Sequence, residues 1–134
     1  MTPAREEALR LLRLAHRDQT TLILLARILE APMASLGFHA QQAVEKALKA
    51  VSVSRGIETR RTHDLVALAQ VLLDDGGVTP FTLDQVRQLN PFAVEYRYDD
   101  ELESGLLRDE LTELVERVLA WADSCVTSTP TPRT

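Results

Sequence analysis

One cysteine, Cys125, stands among 134 residues, so neither an internal disulfide framework nor a cysteine-only zinc site can be built. A reducing cytoplasm suits such a chain. Aromatic residues make up only 4% and glycine and proline number five and six; runs of β-branched residues with period-two alternation are missing, which leaves a sheet little to be made from. The 45% apolar content is therefore mostly Leu, Ala and Val, the palette of a helical bundle, and 134 residues fit one domain. No apolar run approaches the length of a membrane span, and Arg5, Glu6 and Glu7 interrupt any leader-like stretch at the start. The expectation is a soluble cytoplasmic protein with no membrane association. The sequence also lacks a GxxxxGK[ST] loop, an HExxH pair and a GxSxG elbow. None of its three histidines, His16, His39 and His63, stands at a metal-ligand spacing from another, so no metal and no cofactor is expected.

The net charge is -5, which argues against a broad nucleic-acid surface, because such affinity comes from many Lys and Arg contacts to phosphate. The average hides an asymmetry. Residues 1 to 63 hold ten Lys or Arg against six Asp or Glu, whereas 64 to 134 hold five against fourteen. Lys46, Lys49, Arg55, Arg60, Arg61 and His63 gather in one stretch, enough to meet a nucleotide or a short RNA; the competing reading is a solvated charged loop.

The chain is organised around the stretch from Gly37 to Ala50. At about 100° per residue, Ala40, Ala43, Val44, Ala47, Leu48 and Val51 fall on one arc, where small side chains admit a close neighbour. Gln41, Gln42, Glu45, Lys46 and Lys49 take the opposite arc, which the pattern predicts to be exposed, with Phe38 at its centre. Two readings stand: a stray surface phenylalanine, or a contact surface of amides, paired charges and one ring.

Before this helix, Thr2 and Pro3 read as N-cap and first residue of a helix running to about Glu30. Its later part, Leu22 to Leu29, is apolar all round and must be covered on more than one side, either by a second copy of the chain or by a neighbouring helix end. Pro32 opens the central helix and Gly56 stops it. Thr62 is predicted to cap the next helix with Asp64 in its first turn, Asp74 to Gly77 ends that helix, and Thr82 with Gln85 matches a capping box that starts a fourth. Pro91 interrupts this fourth helix. The last helix is expected from about Asp100 to residue 124, with Leu107, Leu111, Leu114, Val118 and Trp121 at three- and four-residue steps. Residues 125 to 134 have too little apolar surface to offset their ordering entropy and are predicted to be a disordered tail, leaving 1 to 124 as a single bundle.

The run Phe38-His39-Ala40-Gln41-Gln42-Ala43-Val44-Glu45-Lys46-Ala47-Leu48-Lys49-Ala50, then Thr62-His63-Asp64-Leu65, then Arg97-Tyr98 resemble the successive signatures of HEPN domains, over roughly residues 8 to 122. The resemblance implies an all-α, up-and-down bundle of four to five helices, commonly a homodimer, often encoded beside a minimal nucleotidyltransferase partner in prokaryotic toxin and antitoxin systems. It implies two possible activities. Ribonuclease members carry an Arg followed after four to six residues by a His; counted from Arg97, those positions hold Leu102, Glu103 and Ser104, and Asp99 replaces the proline that usually comes after Arg-Tyr. His63 can substitute as a proton carrier near neutral pH if the fold or a dimer mate brings it near Arg97. Nucleotide binding fits the residues better, with Phe38, Gln42, Glu45, Lys46, Lys49, His63 and Arg97 as the candidate contacts. The expectation is a nucleotide-binding interaction module; the alternatives are a metal-independent ribonuclease toxin and a non-catalytic helical adaptor.

Overall fold

The computed structural model describes residues 2–93 and 107–128, and all of the regular structure in them is helical. Five α-helices succeed one another: α1 (Pro3–Ala26), α2 (Met33–Ser54), α3 (Leu65–Asp74), α4 (Leu83–Arg87) and α5 (Arg108–Thr127), with a single 3₁₀ turn at Asn90–Phe92 between the last two. The all-α bundle predicted from composition is what forms.

The most extensive contact is between α1 and α2, joined by a six-residue turn into an antiparallel pair, and α5 packs across both. α2 is the central helix, touched by α1, α3, α5 and the 3₁₀ turn. Its alanines explain how so many neighbours fit: Ala40, Ala43, Ala47 and Ala50 are fully buried, and with only a methyl group at each, flanking helices approach the α2 backbone closely. Gly37 takes this further. A Cβ there would lie 2.2 Å from the ring of Phe92, so only glycine lets that buried phenylalanine seat the 3₁₀ turn directly on α2.

Helix boundaries obey local chemistry. Thr2 accepts a hydrogen bond from the Arg5 amide, with Pro3 in the first turn. α2 closes with Gly56 at φ +76°, the Ile57 amide donating to the Ser52 carbonyl and Gly56 to Val53, an arrangement that satisfies two carbonyls otherwise left open. Gly76, at φ +86°, does the same for α3. Thr82 and Gln85 form the expected reciprocal box.

Four boundaries differ from the sequence reading. α1 ends at Ala26, not near Glu30, because the α5 residue Arg108 gives its guanidinium to the carbonyls of Ile28, Leu29 and Ala31; a tertiary donor replaces the helical ones. Asp64, not Thr62, caps α3, accepting from the amides of Val66 and Ala67, while Thr62 accepts from the Asp64 amide. α5 starts at Arg108 after an extended Leu107; the start expected near Asp100 lies outside the described residues. At the other end α5 reaches Thr127 with Val126 fully buried, three residues into the expected tail, because Val126 still has core to pack against. Residues 129–134 lie outside the description. Among the described residues no helix is long and apolar enough to cross a membrane.

Candidate functional site

The polar arc of α2 is not a solvent-facing wall. Gln41 is fully buried and Glu45 is 5% exposed, while Phe38, Gln42, Lys46 and Lys49 are half-buried. The helix presents two separate polar edges to two different neighbours.

One edge faces α1. Asp18 accepts from Lys46 Nζ at 2.5 Å and lies 3.0 Å from His39 Nδ1, so a single α1 carboxylate gathers two cation-capable groups that stand about two turns apart on α2. Lys46, a candidate ligand contact, helps hold the α1–α2 pair. Phe38 sits edge-on to His39, with ring centroids 5.2 Å apart and planes at 80°.

The other edge faces the loop between α2 and α3, and here the candidate residues converge. Glu45 Oε1 accepts from Gln41 Nε2 at 3.0 Å and lies 2.8 Å from His63 Nδ1, while Glu45 Oε2 accepts from Lys49 Nζ at 3.2 Å. Gln41 Nε2 also reaches the His63 carbonyl at 3.1 Å, and its oxygen accepts from Gln42 at 2.7 Å. Among the described residues no buried side-chain nitrogen or oxygen lacks a partner. Burial pushes the Glu45 carboxyl up, but the hydrogen bonds from Gln41 and His63 and the neighbouring Lys49 charge outweigh it and hold the group below the ordinary carboxylate range. Glu45 is therefore ionised at neutral pH and offers only acceptors. That fixes the imidazole: His63 must donate through Nδ1, leaving Nε2 for the outside, and its side chain is 70% exposed.

The loop carrying His63 is held from the other side too. The Asn90 side chain accepts from the Leu65 amide and donates to Asp64, both at 3.0 Å, and two residues on, Phe92 is seated against Gly37. His63 thus lies between Glu45 on α2 and a turn anchored to the same helix. A carboxylate-braced imidazole with an outward Nε2 can accept a proton or, once protonated, donate to a phosphate oxygen. The exposed Arg60 and Arg61 precede it on the same loop.

Of the predicted site residues, the structure brings Gln42, Glu45, Lys49 and His63 together, draws Lys46 toward Asp18, and leaves Phe38 beside His39. Arg97 lies outside the described residues. Two participants were missed. Asp18 stands three residues after Ala15 and four before Leu22, both fully buried, so its spacing already placed it on the core-facing stripe of α1. Gln41 stands four after Gly37 and three before Val44, likewise on a buried stripe.

A family model for the HEPN domain matches residues 7–125. The chain belongs to the HEPN family. Its fold is that of a solved archaeal HEPN homologue, with a TM-score of 0.61 and 19% identity over 90% of this chain and 98% of the other. No curated protein matches the sequence. In this HEPN domain, the two family-like stretches around Glu45 and His63 meet as one hydrogen-bonded cluster.

Proposed function

We propose that this HEPN domain is a nucleotide-binding interaction module that works as a homodimer beside a nucleotidyltransferase in a toxin and antitoxin pair. The observation that carries the binding half is the imidazole of His63, held outward by a buried, ionised Glu45 with Lys49 on the same carboxylate and Arg60 and Arg61 exposed beside it. A donor imidazole and a lysine fixed on one carboxylate are suited to a nucleotide phosphate, since little ordering of these two groups remains to be done on binding. The nucleotidyltransferase partner rests on the family alone. Dimerisation has separate support: Ile23, Leu24, Ile28, Leu29 and Leu107 are all exposed, Leu29 at 82%, and Arg108 clamps the turn that carries Ile28 and Leu29. Aliphatic groups so gathered on a small protein mark a contact surface.

Calorimetry with ATP, GTP and UTP on the wild type and on His63→Ala is the direct test. Heat with at least one nucleotide, lost in the variant, is expected; no heat with any of them removes the binding half. The same braced imidazole supports a second reading as a proton carrier in metal-independent RNA cleavage. Cleavage of single-stranded RNA in EDTA, abolished by both His63→Ala and Arg97→Ala, would replace nucleotide binding with that activity. Light scattering at micromolar concentration should give twice the chain mass, and Leu24→Ser with Leu29→Ser should halve it. A wild-type mass of one chain would contradict the dimer.

A further inference from the structure

A groove of about 480 Å³ runs between α1 and α5, toward the opposite end of the helix pair from the exposed aliphatic groups. Leu9 and Leu12 supply its apolar lining, with Arg13, His16 and Arg17 from α1 and Asp123 from α5. Asp123 already lies 2.9 Å from His16 Nε2, in hydrogen-bond contact with that ring. Arg13 and Arg17 are exposed, and among the described residues neither guanidinium has a hydrogen bond or ion pair. Their neighbours are different: Arg5 gives a bond to the Val126 carbonyl and Arg10 is paired with Glu7. Spaced four apart, Arg13 and Arg17 repel each other along the helix, an arrangement that an acidic neighbour relieves.

We propose that this groove docks an acidic, leucine-bearing helical segment of a partner protein, its carboxylates on Arg13 and Arg17 and its aliphatic side chains against Leu9 and Leu12. This names a partner class for the interaction half of the proposed function and does not depend on nucleotide binding. A protein segment fits better than a nucleic-acid strand: among the described residues no phenylalanine, tyrosine or tryptophan lines the groove, and its one ring, His16, is tied to Gln19 and Asp123, whereas single-stranded nucleic acids are held largely by base stacking on aromatic rings. An apolar strip flanked by unmatched cations is what an amphipathic acidic helix complements.

The test is fluorescence anisotropy of a labelled amphipathic Leu/Glu helical peptide titrated with the full chain, beside its Leu/Lys counterpart and an oligouridine. Saturable binding of the Leu/Glu peptide alone, weakened by salt and by Arg13→Glu with Arg17→Glu on the order of tenfold or more, is the expected result. Arg17→Gln is the gentler variant, expected to weaken binding about threefold, and circular dichroism checks that both remain helical. Failure of the Leu/Glu peptide to saturate, equal binding of the Leu/Lys peptide, or unchanged binding by the charge-reversed variant overturns the proposal. So does displacement of the peptide by oligouridine, which would make the groove a nucleic-acid site, or a fall in light-scattering mass in the charge-reversed variant, which would make it an interface between copies. Failure of the wild type to bind the Leu/Glu peptide, in a protein that still binds nucleotide, would strike this proposal alone.

Discussion

Arg17 and Asp18 are consecutive on α1, and their surroundings differ in kind. Asp18 faces α2, where it meets Lys46 and His39; Arg17 faces the α1–α5 groove and meets nothing among the described residues. The contrast extends to whole regions. Along α2, polar side chains serve the protein itself: Gln41, Glu45, Lys46 and Lys49 are each tied to a neighbouring residue. On the outer face of α1, Arg13 and Arg17 have no hydrogen bond or ion pair among the described residues, and Ile23 and Leu24 are exposed. Polarity on a helix face is thus a poor guide to binding, because an engaged charge is a structural element. What is left over at the ends of such networks, the His63 Nε2 and the Arg13 and Arg17 guanidiniums, is available to another molecule.

The sharpest way to break this contrast is Glu45→Ala. Removing the acid leaves Gln41, fully buried, with the His63 carbonyl alone as acceptor and the half-buried Lys49 ammonium without its carboxylate, and cutting one partner from a buried charged network costs about 3 kcal/mol. His63→Ala removes the exposed partner instead and should cost about 1 kcal/mol or less. Urea unfolding of the two variants measures the difference; equal costs would mean that Glu45 is not the keystone of the cluster. The same group predicts a pH dependence. Its folded pKa lies below the ordinary value, so the stabilisation is fully present above the unfolded carboxylate pKa, about 4.3, and is lost as pH falls through the lower folded value. Between about pH 5 and about pH 3, wild type should therefore lose more stability than Glu45→Gln. Parallel slopes would contradict this.

How much of this could be read from the chain alone depends on the number of neighbours each helix has. α5 was legible for most of its length: Leu111, Leu114 and Val118 are buried, and Asp109, Glu110, Glu113 and Glu116 are exposed, as their spacing predicts, but Leu107, first in the expected stripe, precedes the helix and is 69% exposed, and Trp121 is half-buried. For α2 a two-faced reading failed at Gln41 and Glu45, since a helix touched by α1, α3, α5 and the 3₁₀ turn buries a wider arc than an amphipathic pattern assumes. The pairing of Glu45 with His63 spans 18 positions, and periodicity carries no information about contacts between segments. The loop geometry was hidden for the same reason: Asn90 and Phe92 hold the start of α3 and Gly37 from far along the chain. The glycine was visible, but not the ring it makes room for.

A smaller effect is expected at Asp18. Asp18→Ala removes the acceptor from Lys46 and His39 together, and these side chains are 25% and 23% exposed, so water recovers part of the loss. A cost of about 1.5 kcal/mol, between that of a neutral hydrogen bond and that of a charged one, is the outcome to look for in urea unfolding. A cost near zero would mean that the α1–α2 pair is held by its alanines and leucines alone, and the polar edge facing α1 would then be as free for ligands as the groove.

Arg17→Ala should do almost nothing to stability, and that is the informative result. Its aliphatic stem lines an open groove and among the described residues its charge has no acid to lose, so the change should stay within about 0.5 kcal/mol. Relief of repulsion from Arg13, four residues away, works in the stabilising direction by a few tenths of a kcal/mol. One residue along the same helix, Asp18→Ala also places alanine in the helix interior, and the two changes differ chiefly in what the lost side chain touches. If thermal or urea unfolding showed Arg17→Ala to be the costlier of the two, an internal partner for Arg17 would have to exist, and the distinction between engaged and unengaged charge on α1 would fail.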